Sequence, residues 1–469
     1  MAFTDIAIVF DCGATNVRVV AIDRQGNVIA SASEANSARP DPYNAGYRIW
    51  DTDEIWNKMC RASVTVTSQI PVRRIAGVTI TTFGVDGSLF DGDGTMLYPV
   101  ISWQCSRTAP VIKEMKKYMS LDELYRITGV YPFNFNTIFK LIWLRENHPA
   151  LIERAERYLF LPSIFSNYLS GATSNDTTMA GTSGLTDHTT RTWAPGILDA
   201  ISIPRHLLSD PVEPGTIAGT VSEAAAAMTG LPCGTPVVVT GHDTQFALIG
   251  SGAGINVPVL SSGTWEVLMV RSTACTAGPE QMKASITTEL DSMPGLFDIG
   301  NQWIASGLIE WVREKYFSDC STNVYEVMMH EASMAPESCN GVTVTPDYSR
   351  TDLEGMIHGV TSHTTRSDIC RATLSALSER LRQGREKIEK AGHFNTSSII
   401  CVGGGSRNRL WNQMRADAAG VVLRAADISE ATAIGASMFV QYAAGNAPTP
   451  EEALPDDLIK YVDYHPCEK

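Results

Sequence analysis

Several features that mark particular protein classes are missing from this chain. No apolar run approaches the ~20 residues that a membrane-spanning helix requires. The ten cysteines form no CxxC pair and do not cluster with histidines at metal-site spacing. No basic segment followed by an apolar core opens the chain. We therefore expect a cytoplasmic protein from a reducing compartment.

The chain also lacks a net positive charge. The formal net charge is −14, and the acidic residues are spread along the chain. This distribution argues against nucleic acid or an anionic membrane as the main partner, so an anionic ligand would need local donors. The 469 residues are too many for one simple core and predict two domains of about 200 residues each, with a cleft between them.

The first chemical feature is a polar turn between two apolar strands, in IVFDCGATNVRVV. Gly13 can adopt a positive φ, so that successive backbone N–H groups converge on an anion, and Thr15 and Asn16 add side-chain donors. Asp11 would repel a phosphate, and we predict that it holds a cation such as Mg²⁺, directly or through water. An ordinary hairpin turn uses the same residue types, so this turn alone leaves both interpretations open.

Two other carboxylates follow predicted strands. Asp86 lies between glycines in TTFGVDG and can accept two hydroxyl hydrogen bonds from a sugar or polyol, although it can also simply cap a turn. Asp243 stands between the strand TPVVVTG and the helix TQFALIGSGAG, where it is placed to be a general base or a plain helix cap. His242 beside it is a weaker candidate, because a lone histidine more often orients or packs.

Two predicted helices begin at asparagines. FNFNTIFKLIWLRENHP is predicted to form an amphipathic helix with Asn136 at its start, and NQWIASGLIEWVREKYF is predicted to be helical from Asn301 onwards.

The second half repeats the design of the first. VPVLSSGTWEVLMVRS is again an apolar strand, a turn of small polar residues and a second apolar strand. Two such turns, roughly 250 residues apart, indicate a duplicated fold that grips a polyphosphate from both sides.

A glycine-rich segment follows the strand SSIICV. Gly403, Gly404 and Gly405 lead into the helix LWNQMRADAAG, an arrangement that lets the backbone approach a base or ribose and adds the positive potential of a helix N-terminus. The segment is neither GxGxxG nor GxxxxGK[ST], which weakens dinucleotide-binding and Walker-type interpretations. A helix entry without any ligand is the alternative.

These segments, in this order, resemble the FGGY family of carbohydrate kinases. DCGATN, GHDTQ, SSGTW and GGGSRN are similar to its phosphate, base, second phosphate and adenosine segments. FNTIFKLIWLREN fits one family signature, and GMIHGVTSHTTRSDICRATLS fits another except at Ser375, where an acidic residue is usual. The resemblance covers nearly the whole chain. It implies an α/β fold of two actin-like (ribonuclease H-like) domains, each a mixed sheet flanked by helices, with an active-site cleft between them. The expected ranges are 1–245, 246–445 and a C-terminal tail, 446–469.

The resemblance also implies an activity. The γ-phosphoryl group of ATP would pass, with Mg²⁺, to the 1-hydroxyl of L-fuculose to give L-fuculose 1-phosphate; L-rhamnulose, L-xylulose and D-ribulose are the alternative acceptors. The expected partners are the sugar and ATP, without nucleic acid or membrane, and a homodimer is left open. Two competing classes are a non-catalytic sugar sensor and an actin-like ATPase.

Residue roles follow from the same resemblance. Asp243 would accept the proton of the sugar hydroxyl, and Asp11 together with Asp243 would hold Mg²⁺. The phosphates would be contacted by Cys12, Gly13, Ala14, Thr15, Asn16, Gly263 and Thr264, the adenosine by Gly404, Gly405 and Asn408, and the sugar by Gly84, Val85, Asp86, Asn136, His242 and Asn301.

Overall fold

Two α/β units make up the chain in a computed structural model that describes residues 4–320, 322–348 and 350–467. Within these residues unit 1 comprises 4–252, 276–298 and 430–458, and unit 2 comprises 253–275, 299–429 and 459–467. The predicted ranges were contiguous, whereas the compact units exchange segments along the chain.

The helices and strands account for most of each unit. The strands are β1 (Ile6–Cys12), β2 (Asn16–Ile22), β3 (Val28–Ala35), β4 (Arg39–Asp41), β5 (Asn44–Trp50), β6 (Ile75–Thr82), β7 (Gly87–Phe90), β8 (Val100–Ile101), β9 (Arg157–Phe160), β10 (Thr186–Asp187), β11 (Thr192–Trp193), β12 (Ile217–Thr220), β13 (Pro236–Val238), β14 (Val259–Ser262), β15 (Trp265–Ser272), β16 (Thr287–Leu290), β17 (Phe297–Ile304), β18 (Thr343–Val344), β19 (Ile357–His358), β20 (Ser398–Val402), β21 (Val422–Ala426) and β22 (Tyr461–Tyr464). The helices are α1 (Thr52–Thr67), α2 (Ala109–Lys113), α3 (Leu121–Thr128), α4 (Thr137–Asn147), α5 (Pro149–Arg154), α6 (Leu161–Ser170), α7 (Thr177–Thr182), α8 (Pro195–Ala200), α9 (Glu223–Thr229), α10 (Asp243–Gly250), α11 (Pro279–Lys283), α12 (Ser306–Tyr316), α13 (Val324–Met334), α14 (Arg366–Gly392), α15 (Arg409–Ala419) and α16 (Ala431–Ala443). Among the described residues, no helix has both the length and the apolar character needed to cross a bilayer.

The sheet of unit 1 is mixed, with the order β12-β13-β6-β1-β2-β3. β1 pairs antiparallel with β2 and parallel with β6, and β6 pairs parallel with β13. Successive side chains of a strand point to opposite faces. Ile8 and Phe10 therefore pack in the core that contains Trp56 of α1, while Ala7 packs with Val440 of α16. A central strand covered on both faces explains why residues 6–10 of β1 are all apolar.

The sheet of unit 2 repeats this plan. Its strands β17, β15, β14, β20, β21 and β22 are neighbours in that order. β14 pairs antiparallel with β15 and parallel with β20, and β20 pairs parallel with β21. The hairpin β14–β15 thus has the same position in the sheet of unit 2 as the hairpin β1–β2 has in the sheet of unit 1. The predicted fold class, two α/β domains with mixed sheets and a duplicated hairpin, is confirmed.

Helix α16 belongs to unit 1 although it comes late in the chain. It packs against α10 at very short range: a Cβ on Gly250 would lie 1.9 Å from the carbonyl oxygen of Ala431, and one on Gly435 would lie 1.9 Å from that of Phe246. Glycine at both positions lets the two helices touch through their backbones. This contact attaches residues 430–458 to unit 1 rather than to the domain that precedes them in sequence.

The helix predicted to start at Asn301 begins later. Asn301 lies in β17, which ends at Ile304, and α12 begins at Ser306. β17 is a strand of the sheet in unit 2, and its position in that sheet overrode the local helical pattern.

Candidate active site

The first predicted phosphate turn connects β1 and β2. Cys12 faces Val17 across the hairpin, and the Gly13 N–H donates to the Asn16 carbonyl oxygen at 2.9 Å. Gly13 has no positive φ, contrary to the expectation, because this internal hydrogen bond closes the turn without one. Thr15 and Asn16 are exposed, while the Cys12 side chain is buried in the core and leaves only its backbone for a ligand.

Asp11 lies just before this turn and is almost completely buried. Its carboxylate accepts a hydrogen bond from Arg18 at 2.5 Å, across the hairpin, and one from Thr81 at 3.4 Å. Arg18 also pairs with Glu430 at 2.8 Å. One guanidinium therefore pairs with two acidic groups beside the turn. Arg18 and Glu430 were not singled out from the sequence.

Asp243 lies where the parallel strands β6 and β13 lead to one edge of their sheet. The Thr82 N–H donates to the Gly241 carbonyl oxygen at 3.0 Å, which continues the pairing beyond β13. Asp243 is the first residue of α10, and His242 occupies the N-cap position, so Asp243 is not the plain N-cap that the sequence left open. Burial raises the pKa of Asp243 to about 6, His242 opposes this rise, and Asp11 adds to it. Its side chain keeps 28% exposure, so a carboxylate poised to take a proton remains accessible.

His242 connects Asp243 to a second carboxylate. Its Nε2 lies 3.5 Å from Asp243 Oδ1, and its Nδ1 lies 3.6 Å from Glu289 Oε2. Burial alone would lower the pKa of His242, but the neighbouring Glu289 and Asp243 raise it overall. Gly84 makes room for the ring, since a Cβ there would lie 2.8 Å from His242 Nε2. Glu289 was missed because it comes 47 residues after His242 in sequence and lies in a strand without any motif.

Asp86 is fully buried at the turn between β6 and β7. Its carboxylate forms an ion pair with Lys140 and accepts hydrogen bonds from Trp50 Nε1 at 2.7 Å and the Trp103 N–H at 3.0 Å. Burial raises the pKa of Asp86, and Lys140 opposes that rise. These three donors leave about one of the roughly four lone-pair sites of the carboxylate for a further hydrogen bond.

The residue before Asp86 has an unusual backbone. Val85 adopts φ 66°, which is rare for a β-branched residue, and its carbonyl oxygen accepts hydrogen bonds from Thr137 at 2.8 Å and Lys140 at 3.1 Å. Strained backbone of this kind persists only where its surroundings hold it, and it concentrates at functional sites.

Helix α4 carries both of these donors, Thr137 and Lys140, and is buried inside unit 1. Residues 137–144 are all buried, so the helix is not amphipathic as predicted, because it forms part of a second core in unit 1 and is surrounded by it. Asn136 precedes the helix and donates to the Thr182 carbonyl oxygen at 3.2 Å without capping α4 by its side chain. Lys140 was part of the family signature in the sequence but was not assigned to the site.

Asp176 supports the segment that carries His242. It is buried, Thr178 donates to its Oδ1, and the Thr178 hydroxyl accepts from the His242 N–H at 2.9 Å. A Cβ on Gly241 would lie 2.1 Å from Asp176 Oδ1, so the carboxyl group lies directly against the backbone beside the site.

The stability of Asp176→Asn relative to wild type should increase as the pH rises. Burial raises the pKa of Asp176 from 3.8 to about 6, so the folded state binds the extra proton between these values and loses stability as pH rises through that window. Asparagine is neutral at every pH and keeps the acceptor for Thr178 and Met179. We expect the variant to gain roughly 1–3 kcal/mol over wild type between pH 4 and pH 7, measured by denaturant unfolding.

Asp187→Asn is the matched control for this measurement. Burial raises the pKa of Asp187, but hydrogen bonds from Thr189 outweigh it and hold that pKa below its usual value. The stability that Asp187 contributes is therefore already complete above its usual pKa of 3.8 and is lost only at lower pH, so the difference between the control and wild type should stay nearly constant between pH 4 and pH 7. A gain for Asp176→Asn that is the same at both pH values would contradict the prediction.

In unit 2 the second predicted turn and the glycine segment lie side by side. β14 and β20 are parallel neighbours, and Ser261 faces Val402 at their carboxyl ends. Gly403 has φ 86° and a Cβ there would lie 2.8 Å from the Ser262 carbonyl oxygen; one on Gly405 would lie 2.0 Å from Ser262 Oγ. Glycine is required at both positions for this close approach.

These two segments line one cavity of about 770 Å³. That volume lies within the range of small-molecule and cofactor sites. The predicted residues that line it are Gly263, Thr264, Gly404, Gly405 and Asn408. Its remaining wall comes mainly from α13 and the start of α15, including Tyr325, Met329, His330 and Trp411, none of which was predicted. Asn408 is also the N-cap of α15, accepting from the Trp411 N–H at 3.0 Å, and it donates to Met329 Sδ at 2.9 Å.

The predicted residues therefore form two groups, one in each unit. Asp11, Gly84, Val85, Asp86, Asn136, His242 and Asp243 belong to unit 1 together with the first turn, and the cavity belongs to unit 2. Asn301 also belongs to unit 2, where it is buried and accepts from Arg380 at 3.0 Å.

Asp11 and Asp243 suit a cation that also binds to the phosphates of a substrate. In the described part of the chain no three His, Cys, Asp or Glu side chains are grouped as metal ligands. Mg²⁺ commonly keeps several waters and binds through one or two carboxylates together with substrate phosphates. The charge of Asp11 raises the pKa of Asp243, so a divalent cation would relieve a repulsion that this structure contains.

Comparisons with known proteins identify the family of this chain and its fold. The chain belongs to the FGGY family of carbohydrate kinases: the N-terminal domain of the family matches residues 6–250 and the C-terminal domain matches residues 259–444. The chain is 42% identical over 462 residues to L-fuculokinase of Escherichia coli (strain K12), covering 98% of this chain and 97% of that protein. It is 38% identical over 442 residues to L-fuculokinase of Haemophilus influenzae, covering 92% and 94%. Xylulose kinase from Lactobacillus acidophilus has the same fold, with a TM-score of 0.89 at 18% identity over 98% of this chain and 94% of that one.

Proposed function

We propose that this protein transfers the γ-phosphoryl group of ATP to the 1-hydroxyl of L-fuculose, in the cytoplasm, as a step of L-fucose catabolism. The choice of sugar follows the L-fuculokinases, which are 38–43% identical over nearly the whole chain. The observation that carries the catalytic part is Asp243, an accessible carboxylate with a raised pKa beside His242 and Asp11. A sugar sensor on the same fold would not need such a base.

Asp243 acts as the general base in this proposal. Phosphoryl transfer asks mainly for positioning and charge neutralisation, with little covalent chemistry from the protein. The sugar hydroxyl gives its proton to an Asp243 carboxylate oxygen while the hydroxyl oxygen attacks the γ-phosphorus, and the bond from that phosphorus to ADP breaks. His242, with Glu289 on its other side, favours the ionised form of that carboxylate.

The residues of the two hairpin turns would bind the phosphates, and carboxylates beside the first turn would bind Mg²⁺. Cys12, Gly13, Ala14, Thr15 and Asn16 contribute backbone and hydroxyl donors on one hairpin, and Gly263 and Thr264 contribute them on the other. Asp11 and Asp243 would hold Mg²⁺, and Arg18 pairs with Asp11. The bound cation supplies charge neutralisation of the transferred group.

The sugar and the adenosine use separate groups of residues. Lys140 holds Asp86 at its turn through their ion pair. The residues assigned to the sugar are Gly84, Val85, Asp86, Asn136, His242 and Asn301. Gly404, Gly405 and Asn408 are assigned to the adenosine, which fits the 770 Å³ cavity of unit 2.

ADP release tests the proposal directly. Purified protein with ATP and Mg²⁺ should release ADP rapidly with L-fuculose and more slowly with L-rhamnulose, L-xylulose and D-ribulose, each compared by kcat/KM. Release that is equally fast without any sugar would indicate an actin-like ATPase, and sugar binding without release would indicate a sensor. A higher kcat/KM for L-rhamnulose would replace the proposed substrate but keep the kinase.

A further inference from the structure

A buried ion pair lies behind the second phosphate turn. Arg415 of α15 pairs with Glu266 of β15, and both side chains are 0% exposed. Glu266 also accepts from Trp303 Nε1 at 2.8 Å, so its second oxygen is satisfied. A pair buried this completely is weak evidence for stability, because well-packed apolar side chains often serve as well.

The guanidinium of Arg415 contacts the surroundings of the cavity at three points. It donates to Ser262 Oγ at 2.7 Å, just before Gly263 and Thr264. It donates to Asn412 Oδ1 at 3.1 Å, and Asn412 in turn donates to the Ser406 carbonyl oxygen at 2.6 Å. Its Cζ lies 3.4 Å from the centroid of the Trp411 ring, which itself lines the cavity.

We propose that Arg415, held by Glu266, is a positioning residue for ATP: it fixes the phosphate turn, the glycine loop and Trp411 relative to one another. The planar fork of arginine can hold several acceptors in one geometry, which a lysine cannot reproduce. Ser262 is common to these contacts, since its Oγ also donates to Glu266 at 3.0 Å and lies 2.0 Å from the position that a Cβ on Gly405 would take. This inference rests on the proposed function, because it assigns the cavity to ATP.

The test replaces both residues of the Arg415–Glu266 ion pair rather than only one of them. Arg415→Met with Glu266→Met removes both charges, so no unpaired charge stays buried and the protein should fold. We expect the Kd and KM for MgATP to rise about tenfold or more, with kcat at saturating ATP and the KM for L-fuculose within about twofold of wild type. Arg415→Lys should give a smaller rise, because the ammonium cannot contact Ser262 and Asn412 as a fork.

A matched control exists in unit 1. Arg107 and Asp41 form another ion pair with both side chains 0% exposed, and neither residue belongs to the proposed site. Arg107→Met with Asp41→Met should leave the Kd for MgATP unchanged in isothermal titration calorimetry. An equal rise in both double variants, or no rise in Arg415→Met with Glu266→Met, would overturn the inference.

Ser262→Ala provides the evidence if the double variant does not fold. It removes the acceptor that Arg415 holds and changes the volume little, so a rise of about threefold or more in the Kd for MgATP is expected, and an unchanged Kd would refute the inference. Wild-type protein that binds no MgATP would refute the proposed function and this inference together, whereas wild type that binds it and variants that bind equally well refute the inference alone.

Discussion

Asp243→Asn lowers kcat by about 10²–10⁴ while MgATP binding is retained, if Asp243 is the general base. The amide keeps the size of the side chain and its place at the start of α10 but cannot accept the proton of the sugar hydroxyl. The measurement is steady-state ADP release with L-fuculose, together with the Kd for MgATP. Turnover within threefold of wild type would refute the assignment.

Asp53→Asn is the control for this variant. Asp53 also lies in the first turn of a helix, α1, and is exposed, so the substitution removes the same charge from the same kind of position. The control should leave kcat unchanged. This comparison separates proton transfer from the loss of a favourable carboxylate at a helix N-terminus.

The pH profile provides a second readout on Asp243. Its pKa is about 6, so the base is ionised above that pH and protonated below it. We expect kcat/KM for L-fuculose to fall below about pH 6 in wild type. The residual activity of Asp243→Asn should lack this decrease, and an identical acid limb in both proteins would show that another group controls it.

Lys140→Met should destabilise unit 1 by about 3–5 kcal/mol, since it leaves the Asp86 carboxylate buried without its cation. The Val85 carbonyl oxygen would also lose its hydrogen bond from Lys140, so the turn beside Gly84 should loosen and the KM for L-fuculose should rise. Denaturant unfolding gives the free energy, and sugar-dependent ADP release gives the KM.

Two further variants control this experiment. Lys117→Met makes the same substitution in the Lys117–Glu114 pair, where both side chains are 56% exposed, and should leave stability unchanged within error. Adding Asp86→Asn to Lys140→Met removes the uncompensated charge and should recover part of the lost stability. Equal destabilisation by Lys140→Met and Lys117→Met would contradict the predicted dependence on burial.

Local patterns predicted the parts of the site that local chemistry determines. The strands around both turns, the helix after Asp243 and the glycine loop after β20 all occur where apolar runs and glycines indicated them. These features depend on residues within a few positions of one another, so they can be inferred from spacing alone.

Other features depend on residues far apart in the chain. For these features the predictions were wrong or none was made. Asn301 was expected in a helix but lies in β17, because sheet pairing decides the conformation of a short mixed segment. α4 was expected to be amphipathic but is enclosed by a core that no local pattern reveals. Glu289 beside His242, and Arg415 behind Ser262, carry no motif and became visible only through their contacts.

The order of residues in the chain thus determined where the turns, strand ends and glycine loop that we propose as the site would form, since backbone freedom and apolar periodicity are properties of neighbours in sequence. Tertiary structure alone decided which charges are paired, which carboxylate stays accessible and which remote side chains contact the residues around the cavity. The physical reason is that pKa values and buried ion pairs depend on desolvation and distance, and both arise only when distant segments pack together.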